Sequence, residues 1–276
     1  MHWQNRSESA GSRRDRSPIA WQSLPMNSSP RPLAVISGGS RGLGLETARG
    51  LAAAGFDLAL IAKDSQRLES ARQSLLGEFA GQHPGLIITT HPVDLKDQVA
   101  TRNLATQITA TLATPKVLIL AHGVMSEKMS KTLRTTDAEW NRVMDINLNS
   151  VFTLVNALVP AMVEARDGRV IIYSACLGRM SGPGNAGGLA PYRISKAGVN
   201  ALVRNLAHET GMGARGLYVD AICPNHSRTD MGGPDAPRSA AEGAETAIWL
   251  ATADIAQRGT ENITGVLWED RQVVPW

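Results

Sequence analysis

Across residues 32–276, short apolar runs alternate with longer stretches whose apolar residues recur near the helical period. The runs are Leu33–Ser37, Asp57–Ala62, Leu86–Thr90, Val117–Ala121, Val170–Ser174, Leu217–Ile222 and a weaker Gly265–Trp268. Helical spacing covers 42–54, 64–79, 97–112, 137–164 and 191–210, with a shorter stretch at 239–252. Val117-Leu118-Ile119-Leu120 is apolar at every position, as in a strand buried on both faces. Strand alternating with helix at this spacing predicts βαβ units and a parallel sheet covered on both sides. The expected fold is α/β: one doubly wound domain with a mostly parallel seven-stranded sheet and helices on both faces. The pattern holds no internal repeat and no second domain.

Residues 1–31 break the pattern. They are rich in Ser, Arg and Pro without apolar periodicity and read as a flexible tail. An Arg- and Ser-rich, acid-poor leader also has the composition of an organelle-targeting peptide, a reading weakened by Glu8 and Asp15. The domain is therefore expected at 32–276, with a lid over about 225–252. Five arginines and two acids give the tail the whole +3 net charge of the chain. The body is neutral, which argues against a nucleic-acid-binding face. Hydrophobic residues make up 43%, enough for a sizeable core, and no uninterrupted apolar run approaches the ~18 residues of a membrane span. Two cysteines, Cys176 and Cys223, cannot build a disulfide framework and lack metal-ligand spacing, so no metal site is expected. A reduced, cytoplasmic setting follows.

The first run leads directly into Ser37-Gly38-Gly39-Ser40-Arg41-Gly42-Leu43-Gly44, and a helix follows. A glycine turn between strand and helix lets backbone approach a phosphate, and the helix N-terminus supplies free N–H groups. The spacing Gly38-x-x-x-Gly42-x-Gly44 resembles the glycine motif of the short-chain dehydrogenase/reductase family, with Ser37 where that family carries Thr. The resemblance implies a Rossmann-type fold and a nicotinamide dinucleotide on Ser37, Gly38, Ser40, Arg41, Gly42, Leu43 and Gly44.

The second run ends Ile61-Ala62-Lys63-Asp64. A carboxylate at that strand end would bond a ribose 2′-hydroxyl and favour NAD; a cation would accept a 2′-phosphate. By the resemblance, Ala62 falls where NAD-preferring members carry their acid. Lys63 and Arg41 are two cations in reach of one phosphate, and charge-assisted contacts are the strong ones. NADP(H) is therefore favoured over NAD(H). Asp64 argues the other way but reads as the N-cap of the next helix. Asp94-Leu95 resembles the family's acidic position at the adenine ring.

Tyr192-Arg193-Ile194-Ser195-Lys196 opens a long helix, and residues four apart share a helix face. A tyrosine with pKa ~10 is a poor acid at neutral pH; a neighbouring ammonium stabilises the phenolate. This is the Tyr-x-x-x-Lys signature of the same family, and it implies Tyr192 as general acid/base with Lys196 on the nicotinamide ribose. Asn147 matches the family asparagine whose carbonyl supports a proton relay. Gly123, Pro224 and Thr229 match further cofactor-contacting positions.

Other positions depart from the family. Its serine beside the tyrosine falls on Ala175, with Ser174 one residue away. Successive strand residues face opposite ways, so only a bulge would bring Ser174 round; Ser181 is a remoter candidate. The family's Asn-Asn-Ala-Gly is Leu120-Ala121-His122-Gly123 here, and Asn225 stands where a glycine would hold a positive φ more easily. The Thr229-Asp230-Met231-Gly232-Gly233-Pro234 segment and the ending Pro275-Trp276 resemble a carbonyl-reductase-like branch. The implied activity is NADP(H)-dependent interconversion of a small-molecule carbonyl and alcohol by a homodimer or homotetramer, with Tyr192, Lys196, Asn147 and Ser174 catalytic. The departures motivate an alternative: a non-catalytic dinucleotide-binding sensor on the same fold.

Overall fold

The computed structural model describes residues 31–127, 130–182, 186–259 and 263–276. The expected tail over 1–31 lies almost wholly outside them. The strands are β1 Leu33–Ser37, β2 Asp57–Ala62, β3 Ile88–Pro92, β4 Val117–Leu120, β5 Gly168–Tyr173, β6 Leu217–Ile222, β7 Leu267–Glu269 and β8 Gln272–Val274. The helices are α1 Gly42–Ala53, α2 Ser65–Phe79, α3 Gln98–Thr111, α4 Asp137–Met144, α5 Ser150–Ala165, α6 Ala190–Glu209 and α7 Ala240–Thr252.

The strands form one sheet in the order β3-β2-β1-β4-β5-β6-β7-β8. All neighbours are parallel except β7 and β8. Alternate strand residues feed two cores. Ala34 and Ile36 face α1, α2 and α7 through Leu51, Leu75 and Leu250. Leu33 and Val35 face α3, α5 and α6 through Ile108, Leu154 and Val203. The stretch Asp137–Ala165 is long and apolar enough to cross a membrane, yet half of its most apolar window is buried in the protein.

Three local features differ from the sequence expectation. An eighth strand, β8, pairs antiparallel with β7 at the sheet edge. The third strand begins at Ile88 rather than Leu86, because the Ile87 N–H is taken by the Asp57 carboxylate at 2.9 Å. The expected 137–164 helix is interrupted by a π-helical turn at Asp145–Asn149. Such turns insert one residue and re-aim their neighbours.

β1 leads outward to β2 and β3, while β4 lies on its other side. The carboxyl ends of β1 and β4 therefore flank the topological switch point, where ligands of open α/β sheets bind.

Candidate active site

The glycine turn is packed as tightly as backbone allows. Gly38 has φ +74°, and a Cβ there would lie 2.9 Å from the His122 nitrogen. A Cβ on Gly44 would lie 2.2 Å from the Gly38 carbonyl oxygen, so α1 begins pressed against the turn. Gly38 and Gly39 both donate to the Ile61 carbonyl, at 2.8 and 3.3 Å. Asp64, Asp97, Thr136 and Ser239 cap α2, α3, α4 and α7 with their side chains, whereas Arg41 makes no such bond at α1. The first-turn N–H groups of α1 are left to the loop, a ready anion site. This cradle fits the pyrophosphate of a dinucleotide. Ser40 and Leu43 are half-buried beside it.

The cations expected at the adenosine end are present, each against a carboxylate. Lys63 Nζ lies 2.8 Å from Asp94, and this contact holds the Asp94 carboxyl below its usual range. Arg41 pairs with Asp230. Arg67, which the sequence reading missed, lies 3.8 Å from Asp230 and 3.5 Å from Asp64. Its signal was its place in the first turn of α2, three residues after the N-cap. Asp64 is that cap, accepting from the Gln66 and Arg67 N–H groups. Leu95 is buried in the core under α3 and α5.

The catalytic candidates converge at the switch point. Lys196 is 4% exposed and its ammonium donates to the Tyr173 carbonyl at 2.6 Å. Burial lowers its pKa to about 8. Its Nζ lies 6.0 Å from the Tyr192 ring centre. Burial pushes the Tyr192 phenol up, opposite to the expected depression. Asn147 is fully buried in the π-helical turn. Its amide brackets Val124 (2.8 and 2.9 Å) and donates to Ser195 Oγ at 3.1 Å. Ser195 in turn donates to the Tyr192 carbonyl, and the Tyr192 N–H donates to Ser126 Oγ. Sequence reasoning missed these two serines, although Ser195 lies inside the Tyr-x-x-x-Lys motif. Gly123 sits where a Cβ would be 3.6 Å from Lys196 Nζ and 3.4 Å from Asn147 Oδ1.

Ser174 lies at the exit of β5, on the cavity wall with Tyr192. β5 and β6 run in one-to-one register to Tyr173 opposite Ile222, and the Ser174 N–H continues the ladder to the Ile222 carbonyl. No residue bulges out. Ser174 Oγ donates to Asn200 Oδ1 at 2.5 Å, pinning α6. Ser174 and Ala175 both line the cavity. Ser181 donates to the Trp276 carbonyl at 3.1 Å.

His122 is a buried bridge. Ser150 donates to the Ile146 carbonyl and so accepts from His122 Nε2 at 2.7 Å. Nδ1 then accepts from Ser37 Oγ at 2.5 Å. Burial, with the Lys196 charge nearby, drives the imidazole pKa down to about 3. The ring is neutral and ties β1, β4 and α5 together.

A cavity of about 390 Å³ opens beside these groups. Its wall includes Leu43, Met125, Leu177, Tyr192, Pro224 and Thr229. Asn225 holds φ +58°, as anticipated for a glycine-like position. The 227–238 segment folds back on itself: Arg228 donates to the Ala236 and Pro237 carbonyls at 2.8 and 3.0 Å. Thr229 caps the Gly232 N–H at 3.1 Å.

A family model described as short chain dehydrogenase matches residues 32–239. The 3-oxoacyl-[acyl-carrier-protein] reductase FabG of Escherichia coli (strain K12) is 30% identical over 199 residues, covering 72% of this chain and 75% of that protein. The gluconate 5-dehydrogenase of Gluconobacter oxydans (strain 621H) is 27% identical over 198 residues, covering 72% of each. The crystal structure of levodione reductase superposes with a TM-score of 0.73 at 26% identity, covering 86% of this chain and 94% of that one.

The neutral His122 sets an acid limit. An unfolded chain takes up a proton at this ring below pH 6.5, while the folded one resists to about pH 3. Stability therefore falls as pH drops through that window, by about 1.4 kcal/mol per pH unit from this group. Urea unfolding between pH 7 and pH 5 is expected to show a steeper loss in wild type than in His122→Asn. Equal slopes would contradict the assignment.

Proposed function

This chain belongs to the short-chain dehydrogenase family, and from that premise we propose that it is an NADP(H)-dependent enzyme interconverting a carbonyl and an alcohol, with Tyr192 as general acid/base. The observation that carries the reading is the convergence of Tyr192, Lys196, Asn147 and Gly123 beside the uncapped start of α1.

The glycine turn with Ser37, Gly38, Ser40, Gly42, Leu43 and Gly44 would hold the pyrophosphate. Asp94 and the backbone of Leu95 would flank the adenine, and Gly123, Pro224 and Thr229 the nicotinamide end. When bound, the nicotinamide supplies or accepts the hydride. Burial keeps the Tyr192 phenol protonated, the state needed to give a proton to an oxygen developing negative charge. The Lys196 ammonium, close by, stabilises the phenolate left behind and holds the ribose hydroxyls. Asn147, in its π-helical turn, supports the return of the proton.

Just after β5 the wall carries both Ser174 and Ala175, and the Ser174 hydroxyl donates to Asn200. Ser174, or no hydroxyl at all, polarises the carbonyl, with Asn200 holding the Ser174 Oγ against α6. Leu43, Met125, Leu177 and Met231 give the cavity an apolar lining suited to an uncharged ketone or aldehyde. The exposed Phe152 on α5 and Ile194 on α6 support association of two chains through these helices. The setting is cytoplasmic, with no nucleic-acid or membrane partner.

Arg41, Lys63 and Arg67 support NADP(H) over NAD(H) through the 2′-phosphate. Asp230 stands against two of these cations, so a bound 2′-phosphate would displace a carboxylate.

Tyr192→Phe is expected to lower carbonyl turnover by about 10²–10⁴-fold while leaving the NADPH dissociation constant within experimental error. Turnover near the wild-type rate in a panel of ketones would remove Tyr192 from its role. Asp230→Asn is expected to tighten NADPH about 2–5-fold, in line with an exposed ion pair, with NADH unchanged. An equal shift for both cofactors would show that Asp230 does not compete with the 2′-phosphate.

A further inference from the structure

α6 carries both Tyr192 and Lys196, yet it supplies no cap of its own. Its N-cap residue, Leu189, sits in the left-handed region at φ +51° and makes no side-chain bond to the first turn. The first N–H groups of a helix have no partner inside it and must find one elsewhere. The helical ladder begins with the Arg193 N–H, which donates to the Leu189 carbonyl at 3.0 Å. Of the three helical residues before it, Pro191 has no N–H to satisfy. The Ala190 N–H donates to the Ser130 carbonyl at 2.9 Å. The Tyr192 N–H donates to Ser126 Oγ at 2.8 Å. Both bonds go to the segment that follows β4, so the start of α6 is capped from outside.

The loop that carries Ser126 is itself held on either side of that residue. Asn147 accepts from the Val124 N–H and donates to the Val124 carbonyl. Arg142 donates to the Met125 carbonyl at 2.8 Å. Glu139 Oε1 accepts from the Glu127 N–H at 2.9 Å. Arg142 also donates to both Glu139 oxygens, at 2.7 and 3.0 Å. The Glu139 carboxylate is buried, and a buried charge of this kind persists only when it is paired and hydrogen-bonded. Glu139 and Arg142 lie on α4, outside the cavity wall. Between these fixed points stand Met125, on the wall, and the buried Ser126.

We propose that Ser126 is a positioning residue for Tyr192, presented by a loop that Glu139 and Arg142 hold in place. The Tyr192 backbone is then fixed at both polar groups: Ser126 takes its N–H, and Ser195, itself bonded by Asn147, donates to its carbonyl. A substrate resting on Met125 and the phenol set by Ser126 share one support, so the loop fixes the distance between them. Misplacing a reacting group by about 1 Å can cost about 10²-fold in rate. The kinetic consequence rests on the enzymatic reading proposed above; the structural content rests on the hydrogen bonds alone.

The chain has three tyrosines, Tyr173, Tyr192 and Tyr218. The test labels the full chain with heavy nitrogen at tyrosine alone and follows amide hydrogen exchange by NMR, with Tyr192→Phe identifying the Tyr192 signal. In Ser126→Ala the Tyr192 amide is expected to exchange about tenfold faster, within the range of a lost helix cap, while Tyr173 in β5 and Tyr218 in β6 keep their rates. Ser126→Thr, which retains the hydroxyl, is expected to restore the wild-type rate. Glu139→Ala is expected to speed exchange at Tyr192 in the same direction; if thermal unfolding shows that it does not fold, the two Ser126 variants decide. Unchanged exchange at Tyr192 in Ser126→Ala, or equal acceleration of all three amides, overturns the proposal. With a ketone that the wild type reduces, Ser126→Ala is expected to lower kcat about tenfold or more, with KM and the NADPH dissociation constant within about twofold, and Ser126→Thr to recover kcat. Undiminished kcat in Ser126→Ala also overturns the proposal. A Tyr192 amide that depends on Ser126 in a chain that reduces no ketone leaves the cap standing and removes the enzymatic reading instead.

Discussion

Much of the site follows from burying one ammonium group. Lys196 is nearly inaccessible to water, and an unpaired buried charge is too costly to keep. The Tyr173 carbonyl at the end of β5 accepts one of its N–H bonds, which fixes where that strand must end relative to α6. The turn after β5 then has to lie directly on the helix. Gly178 permits this, since a Cβ there would stand 2.7 Å from the Lys196 backbone. On the other side, Gly123 leaves room for the amine and for Asn147. One charge thus explains two glycines, a strand exit and the depth of the tyrosine.

The opposite end of the cleft obeys another rule. Arg41, Lys63 and Arg67 are exposed and face carboxylates from three different elements. Exposed pairs of this kind contribute little to stability, so they can be exchanged for a ligand at small cost. The chain combines a rigid, desolvated chemical end with a soft, charged recognition end. Asp230 joins the two, because it belongs to the segment that also carries Thr229 and Met231 along the cavity.

The architecture was legible because parallel strands buried on both faces write themselves as continuous apolar runs. β8 escaped notice because three largely exposed residues at a sheet edge have no such signature. The glycine motif and the Tyr192/Lys196 pair were legible because their spacing is fixed by backbone geometry. The π-helical turn at Asn147 was not, since one inserted residue hardly disturbs helical periodicity. Ser174 could not be settled from the sequence, because its facing depends on whether β5 bulges. His122 stood out only as a departure; its bridging role depends on Ser37 and Ser150, which lie far apart along the chain.

The central claim is that the uncapped glycine turn and its neighbouring cations form a nicotinamide dinucleotide site with a preference for the 2′-phosphate. Fluorescence titration of the full chain with NADPH and NADH side by side tests it most directly, with no assumption about substrate. The account predicts saturable binding of both, with NADPH clearly tighter and its advantage shrinking as salt is raised. Tighter binding of NADH would contradict the role given to Arg41, Lys63 and Arg67, and no binding of either would contradict the site itself.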